Sequence, residues 1–314
     1  MCEGREARVN TGLTPAIVGD DVMTEETRGV ARRRGWEAIV ELALAEDIGA
    51  GDITTLATVP AAAIAEGTIL AKAEGVISGI EVAEFVFQRV DSSIVFEALV
   101  KDGQRVEALT RVARVSGAAR SLLTAERTAL NFMQRLSGVA TITARYVAET
   151  EGSVSHVVDT RKTTPGMRLL EKHAVQHGGG RNHRFGLADG VLIKDNHLAA
   201  IGGRNRVTEA IRGARDEAPH TLKIEIEVTT LDQLDEALAA GADVVMLDNM
   251  SNAQIAEAVA RRDAVDGSIL LEASGGIVLE RIRDLASTRV DLISCGALTH
   301  SAPSMDISLD LDIR

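Results

Sequence analysis

Two short apolar runs in the chain end abruptly in charge. His156-Val157-Val158 passes into Asp159-Thr160-Arg161-Lys162, and Val191-Leu192-Ile193 passes into Lys194-Asp195-Asn196-His197. Cations set side by side at the end of a buried strand repel one another, so an anion resting on them is the simplest reason for the pattern. Arginine offers a planar fork for carboxylate or phosphate, and lysine a point charge. A single Lys or Arg is most often a solvated surface cation. That reading weakens here, because the chain has only six lysines and two of them, Lys162 and Lys194, follow such runs. Arg161 and Arg184 are further candidates for the same anionic ligand.

Acidic groups stand nearby in the pattern. Glu225 and Glu227 in KIEIEV share one face of a strand because side chains alternate, and Asp248 ends the next apolar run, VVMLD. Carboxylates at neighbouring strand ends can hold Mg2+, which keeps waters and bridges to phosphates. The plainer alternative is that they only neutralise the cations. Glu227 and Asp248 are expected to be metal ligands, whereas Glu225, placed deeper, suits a structural partnership with a cation equally well. Ser274-Gly275-Gly276 and Gly296 follow two later strands, where glycine lets a backbone approach a ligand and aim its amides at it; ordinary turns are the alternative. Gly178-Gly179-Gly180 reads as a helix C-cap. His183, beside Arg184 in a loop, and His300, after the last glycine turn, are placed to meet an anion. His156, His173 and His220 read as structural. No Cys/His spacing suggests zinc.

The elements that must position these groups follow a regular rhythm from residue 156 onward. HVVDTRK, VLIKD, IEIEV, VVMLD, ILLEASGG and DLISCG are strand candidates, separated by helical stretches such as MRLLEKHAVQH, TLDQLDEALAAGA and VLERIRDLAST. Repeated βα units imply parallel strands, since each return needs a crossover. An open doubly wound sheet and a barrel both fit. Charged and glycine-rich features spread over nearly all the strand ends favour the barrel, whose site lies at the C-terminal rim. Before residue 118 the chain mixes a helix, WEAIVELALAEDIG, with strand-like segments such as GTILAKAEGVISGI and SSIVFEALVKDGQRV. Ala118–Glu149 reads as helical, its apolar stripes broken near Ser137-Gly138.

Composition narrows the possible partners. With 314 residues the chain accommodates one large domain or two ordinary ones, and its net charge of −12 argues against nucleic acid or acidic membrane surfaces as general partners. Two cysteines, Cys2 and Cys295, imply no disulfide framework and suit a reducing cytoplasm. No apolar run is long enough to span a bilayer. Residues 1–30 lack the apolar core of a signal peptide and are expected to form a polar, disordered extension.

From about Ala43 onward the chain resembles the quinolinate phosphoribosyltransferase family, also called carboxylating nicotinate-nucleotide pyrophosphorylases. The resemblance rests on LAEDIGAGDITT, AERTALNFMQRLSGVAT, DTRKTTPGMR, HGGGRNHRFGLADGVLIKDNH, EIEVTTLDQLDEAL, MLDNM, LEASGGI and GALTHS, in that order. It implies an α/β fold: an incomplete (β/α) barrel with fewer than eight parallel strands over 136–300, plus an N-terminal α/β sandwich domain over 31–135 joined by the C-terminal tail 301–314. The implied reaction joins quinolinate to phosphoribosyl pyrophosphate and yields nicotinate mononucleotide, pyrophosphate and CO2, a pentosyl transfer in NAD biosynthesis.

The resemblance also distributes roles. Arg127, Arg161, His183 and Arg184 would hold quinolinate's carboxylates, Thr160 would be a further substrate-binding residue, and Lys162 and Lys194 would lie between quinolinate and the pyrophosphate. Glu227 and Asp248 would face the ribose hydroxyls and Mg2+. Ser274, Gly275, Gly276, Gly296 and His300 would cradle the 5′-phosphate. Arg127 would come from the neighbouring subunit, which implies a homodimer or a higher oligomer built on one. Three rivals remain at this stage: the molybdenum-transport-associated paralogue of the same fold, a Schiff-base aldolase using Lys194, and a phosphate-ligand sensor without turnover.

Overall fold

A computed structural model of the chain describes residues 25–313. The N-terminal part runs α1 (Glu25–Ile48), α2 (Ile53–Thr58), β1 (Ile64–Ala71), β2 (Gly75–Val76), α3 (Ile80–Val90), β3 (Val95–Ala98), β4 (Arg105–Val106), β5 (Arg111–Ala118) and α4 (Ala119–Ala148). The next stretch holds β6 (His156–Val158), α5 (Arg168–His177), β7 (Val191–Ile193), α6 (Asp195–Ile201), α7 (Arg206–Glu217), β8 (Ile224–Val228) and α8 (Leu231–Ala239). The chain ends with β9 (Val244–Asp248), α9 (Asn252–Val265), β10 (Leu270–Ser274), α10 (Leu279–Ser287), β11 (Leu292–Ser294), α11 (Ala297–His300) and β12 (Ile307–Ile313).

The first helix begins at Glu25, ahead of the expected Trp36. Among the residues whose side chains are described, Trp36, Val40 and Leu44 form its buried stripe, whereas the sequence EETRGVARRR ahead of them has no apolar periodicity to signal a helix. Residues 25–30, expected to be disordered, are therefore helical; the reading of residues 1–24 lies outside the described residues. Asp52 opens α2 by accepting the Thr55 amide at 2.9 Å.

An antiparallel sheet in the order β12-β1-β5-β3 forms the N-terminal layer. The C-terminal strand returns to it as expected, with Ala65 opposite Ile313 and Ala71 opposite Ile307. Helix α4 crosses behind this layer and continues toward the second sheet. Leu122, Leu130, Met133 and Leu136 are buried along it. Each contributes about 1.5–3 kcal/mol of hydrophobic stabilisation.

The break expected at Ser137-Gly138 is absent: α4 is one continuous helix, and the expected domain boundary at 135/136 falls inside it. Its small residues serve close contacts instead. Ser137 Oγ accepts the Ser78 amide at 2.9 Å and donates to the Ser78 carbonyl at 3.1 Å. A Cβ on Gly138 would lie 2.0 Å from the Pro303 carbonyl oxygen.

The second sheet has six parallel strands in the order β6-β11-β10-β9-β8-β7. β6 pairs with β11, which wraps the sheet round and leaves it open only between β6 and β7. This is an incomplete barrel of fewer than eight strands, as expected. The segment from Arg181 to Gly190 lies along the opening. Arg181 donates its amide to Val157 at 2.9 Å and accepts the Asp159 amide at 3.1 Å, while Arg184 reaches the Gly190 carbonyl just before β7 at 2.9 Å.

Ile226, Val245, Leu247, Leu271, Ala273 and Ile293 are buried on the outer face of the strands, beneath helices that contribute Ile211, Leu234, Ile255 and Ile282. The inner face carries the polar groups. Register sets Glu227 beside Met246, Met246 beside Glu272, and Asp248 beside Ser274. Among the described residues no helix is long and apolar enough to cross a membrane.

Candidate active site

A cavity of about 290 Å³ opens at the C-terminal ends of the barrel strands. The turn after β6 brings Thr160, Arg161 and Lys162 to it, and the segment over the barrel opening brings His183 and Arg184. Lys194 comes from the end of β7, Glu227 from β8, Asp248 and Asn249 from the end of β9, and Ser274 and Gly275 from β10. Ten of the expected site residues therefore meet in one place, because a parallel strand delivers whatever follows it to the same rim.

The two arginines answer the question of the paired cations. Arg161 and Arg184 each carry a buried Nε with no hydrogen-bond partner. Burial and the neighbouring Arg161 charge both hold the Arg184 guanidinium below its usual range. Buried, unsatisfied donors on like charges are costly unless an anion accepts from them. The backbone around them is fixed. Arg168 donates to the Arg161 carbonyl at 3.4 Å and to the Phe185 carbonyl at 3.1 Å, tying the turn to the segment over the opening.

Asp159 does not face the cavity. It forms a buried ion pair with Lys172 of α5. Its carboxylate also accepts the His183 amide at 2.9 Å, and Lys172 donates to the His183 carbonyl at 3.0 Å. This pair anchors the segment carrying His183 and Arg184 from below.

On the acidic side Lys194 Nζ lies 2.8 Å from Glu227 Oε2. Asp248 Oδ2 accepts from the Asn249 side chain at 2.8 Å. Asn249 adopts φ 55° and its side chain packs against Gly275, where a Cβ would lie 2.3 Å from Asn249 Oδ1; Gly275 itself has φ 96°. Only glycine fits there.

Four expected residues stand apart from the cavity. Gly296 and His300 adjoin one another and Lys162 at the rim: a Cβ on Gly296 would lie 3.1 Å from His300 Nε2 and 3.2 Å from Lys162 Cδ. Gly276, at φ 57°, faces open space. Arg127 lies on α4 with its side chain 58% exposed, outside the cavity of its own chain.

The floor of the cavity holds groups that sequence spacing passed over. His183 Nδ1 accepts the Arg184 amide at 2.8 Å, so Nε2 carries the ring proton. That Nε2 lies 2.9 Å from Glu225 Oε2 and 3.5 Å from Glu272 Oε2. Glu225 thus has a structural partner, the His183 ring N–H, in place of the cation expected for it. Glu272 is fully buried, and burial together with the Glu225 charge pushes its carboxyl up to about 8. Ser294 also lines the cavity. A charged residue inside the apolar run ILLEA and a serine inside LISCG were the available signals. His183, Glu225 and Glu272 could close on an ion among the described residues, but with the proton on Nε2 the ring has no free lone pair facing the two carboxylates.

Comparison with known proteins covers most of the chain. The family described as quinolinate phosphoribosyl transferase, C-terminal domain, matches residues 139–310, and its N-terminal domain matches residues 52–137. A relative from Mycobacterium leprae (strain TN), named nicotinate-nucleotide pyrophosphorylase [carboxylating], is 46% identical over 275 residues, 87% of this chain and 95% of its own. One from Bacillus subtilis (strain 168), named a probable enzyme of the same kind, is 44% identical and covers 85% of this chain and 90% of its own. The solved structure of NadC from Streptococcus pyogenes superposes with a TM-score of 0.84 at 41% identity, covering 90% of this chain and 98% of the other.

Proposed function

The chain belongs to the quinolinate phosphoribosyltransferase family, and on that premise we propose that its barrel cavity joins quinolinate to the ribosyl group of phosphoribosyl pyrophosphate. The products are nicotinate mononucleotide, pyrophosphate and CO2, and the reaction supplies a pyridine nucleotide for NAD biosynthesis. The observation that carries this reading is the pair of buried, unpartnered guanidinium nitrogens of Arg161 and Arg184. A dicarboxylate is a ligand that satisfies both.

Quinolinate rests against Arg161, Arg184 and Thr160, with its ring over the floor that includes His183. Lys162 and Lys194 lie between it and the pyrophosphate. Gly275 and Ser274, with Gly276, Gly296 and His300 beyond them, offer backbone and side-chain donors to the 5′-phosphate. Glu227 and Asp248 form an oxygen-only pair at adjacent strand ends, which suits Mg2+ as a hard cation that keeps several waters. When bound, Mg2+ neutralises charge on the departing pyrophosphate. The two carboxylates also face the positive charge that develops on the ribose as that bond breaks. Loss of CO2 leaves an electron pair on ring C2, stabilised by the newly cationic ring nitrogen, and a proton must take the place of the carboxylate.

The exposed position of Arg127 on α4 supports a homodimer in which it reaches the partner's cavity. The acidic composition and scarcity of cysteine suit a cytoplasmic enzyme. Release of labelled CO2 from carboxyl-labelled quinolinate, dependent on phosphoribosyl pyrophosphate and Mg2+, tests the reading. Turnover without quinolinate, or binding of both substrates without CO2 release, overturns it.

A further inference from the structure

A second cavity, of about 250 Å³, opens at the opposite end of the barrel, where the strands begin. Val158, Val191, Val244, Leu270 and Leu292 give it apolar walls. It shares His183, Arg184 and Glu272 with the catalytic cavity, so these three side chains form the partition between the two ends. Glu272 is the carboxyl in that partition, and neither of its oxygens has a hydrogen-bond partner.

The groups around Glu272 decide its protonation. Glu225 faces it from β8, His183 from the segment over the barrel opening, and the buried Cys295 thiol lies on the β11 side, where the Ser294 hydroxyl acts weakly in the opposite sense. From β9 its neighbour is the uncharged Met246. Against its burial, the two carboxylates pull the His183 pKa up, but its Nδ1 accepts the Arg184 amide at 2.8 Å and cannot hold a second proton while that bond lasts, so the ring brings one N–H. Two buried carboxylates sharing one N–H do not both ionise. Glu225 holds the 2.9 Å contact to that N–H and Glu272 the 3.5 Å one, so Glu272 is the partner that keeps its proton.

Resting on the functional reading above, we infer that Glu272 is the acid that protonates ring C2 of the pyridine as CO2 departs. The bond from C2 to the carboxylate carbon breaks and leaves its electron pair on C2. That pair takes the proton from Glu272, a C2–H bond forms, and Glu272 becomes a carboxylate. Water reaching it through the lower cavity restores the proton. Lys194 is a poorer donor for this step, because its ammonium lies at the mouth, paired with Glu227 at 2.8 Å in the free chain and placed to meet the pyrophosphate when substrate is bound.

The test is single-turnover formation of nicotinate mononucleotide by the full-length enzyme and by Glu272→Gln and Glu272→Asp, across pH. Wild-type turnover is the control: its absence overturns the functional reading and not this one. With wild-type active, the rate is expected to fall as pH rises past about 8, where Glu272 loses its proton. Glu272→Gln keeps its affinity for quinolinate, loses about 100-fold or more in rate, and lacks the alkaline limb. Glu272→Asp, which keeps an acid of shorter reach, retains part of the rate and keeps an alkaline limb. A Glu272→Gln enzyme with the wild-type rate, or one that loses activity only through weaker quinolinate binding and keeps the limb, overturns the assignment. Should Glu272→Gln not fold, a Glu272→Asp enzyme whose rate does not change with pH above neutrality overturns it equally.

Discussion

Lys194 and Glu227 face each other across β7 and β8, with Nζ 2.8 Å from Oε2, although the lysine side chain remains 45% exposed. In the free enzyme each neutralises the other. A pyrophosphate at the mouth would compete for the ammonium and would leave the carboxylate free to hold a hard cation. Glu227→Gln removes that competition. Without Mg2+, pyrophosphate should bind the variant at least as well as wild-type in calorimetry. Its turnover should fall by about 100-fold or more, as for loss of a charge aimed at the reacting centre. Weaker pyrophosphate binding with unchanged turnover would contradict the pairing.

Arg161 carries an orphaned buried donor in the half of the cavity assigned to quinolinate. Arg161→Ala should weaken quinolinate binding by about 1.5–3 kcal/mol, the usual worth of a hydrogen bond to a charged group. Binding of phosphoribosyl pyrophosphate should change far less. Titrating each ligand separately into the variant checks this, and an equal loss for both would remove the division of labour.

Arg127 is exposed and does not line the cavity of its own chain, so its proposed role requires a second chain. Arg127→Ala and Arg161→Ala should each be nearly inactive alone. Unfolded together and refolded as an equal mixture, they should recover about a quarter of wild-type activity, because half the dimers are mixed and each mixed dimer holds one intact site. No recovery, with mixed dimers shown to form, would place Arg127 in the cavity of its own chain or outside the reaction.

The rim was legible in the sequence because strand-end position alone delivers Arg161, Lys162, Lys194, Glu227, Asp248 and Ser274 to one face. The floor was not. Glu272 sits within a run that reads as apolar, and it meets Glu225 only across β9, on a diagonal of the register that sets Met246 beside Glu272 and Val244 beside Glu225. His183 completes that group from a segment lying over the barrel opening, a placement fixed by the Arg181 amide bonded to Val157. Asp159 looked like part of the mouth cluster, but its partner Lys172 lies one turn into α5 and draws it inward. Ser137-Gly138 looked like a helix break because small residues weaken a helix. Their contacts are with residues 78 and 303, which no local window contains. What spacing along the chain records is therefore the order of strand ends, and what it omits is every pairing made across the barrel.

The protonation of Glu272 has a consequence for stability that does not depend on turnover. Its carboxyl moves from the ordinary 4.5 up to about 8 in the folded protein, chiefly through burial and secondarily through the Glu225 charge. The unfolded chain begins to release this proton near 4.5, whereas the folded chain holds it until about 8. Between those values the folded state binds more protons, so stability falls as pH rises and levels off above the upper value. Glu272→Gln has no proton to lose and keeps the neutral, hydrogen-bonding shape of the protonated acid. Its stability should therefore gain on wild-type steadily through that window. Urea unfolding of both proteins from about pH 5 to about pH 9 measures the difference directly. A constant difference across the window would mean that Glu272 ionises in the folded protein as it does in the unfolded chain, and the barrel floor would then hold two carboxylates on one imidazole.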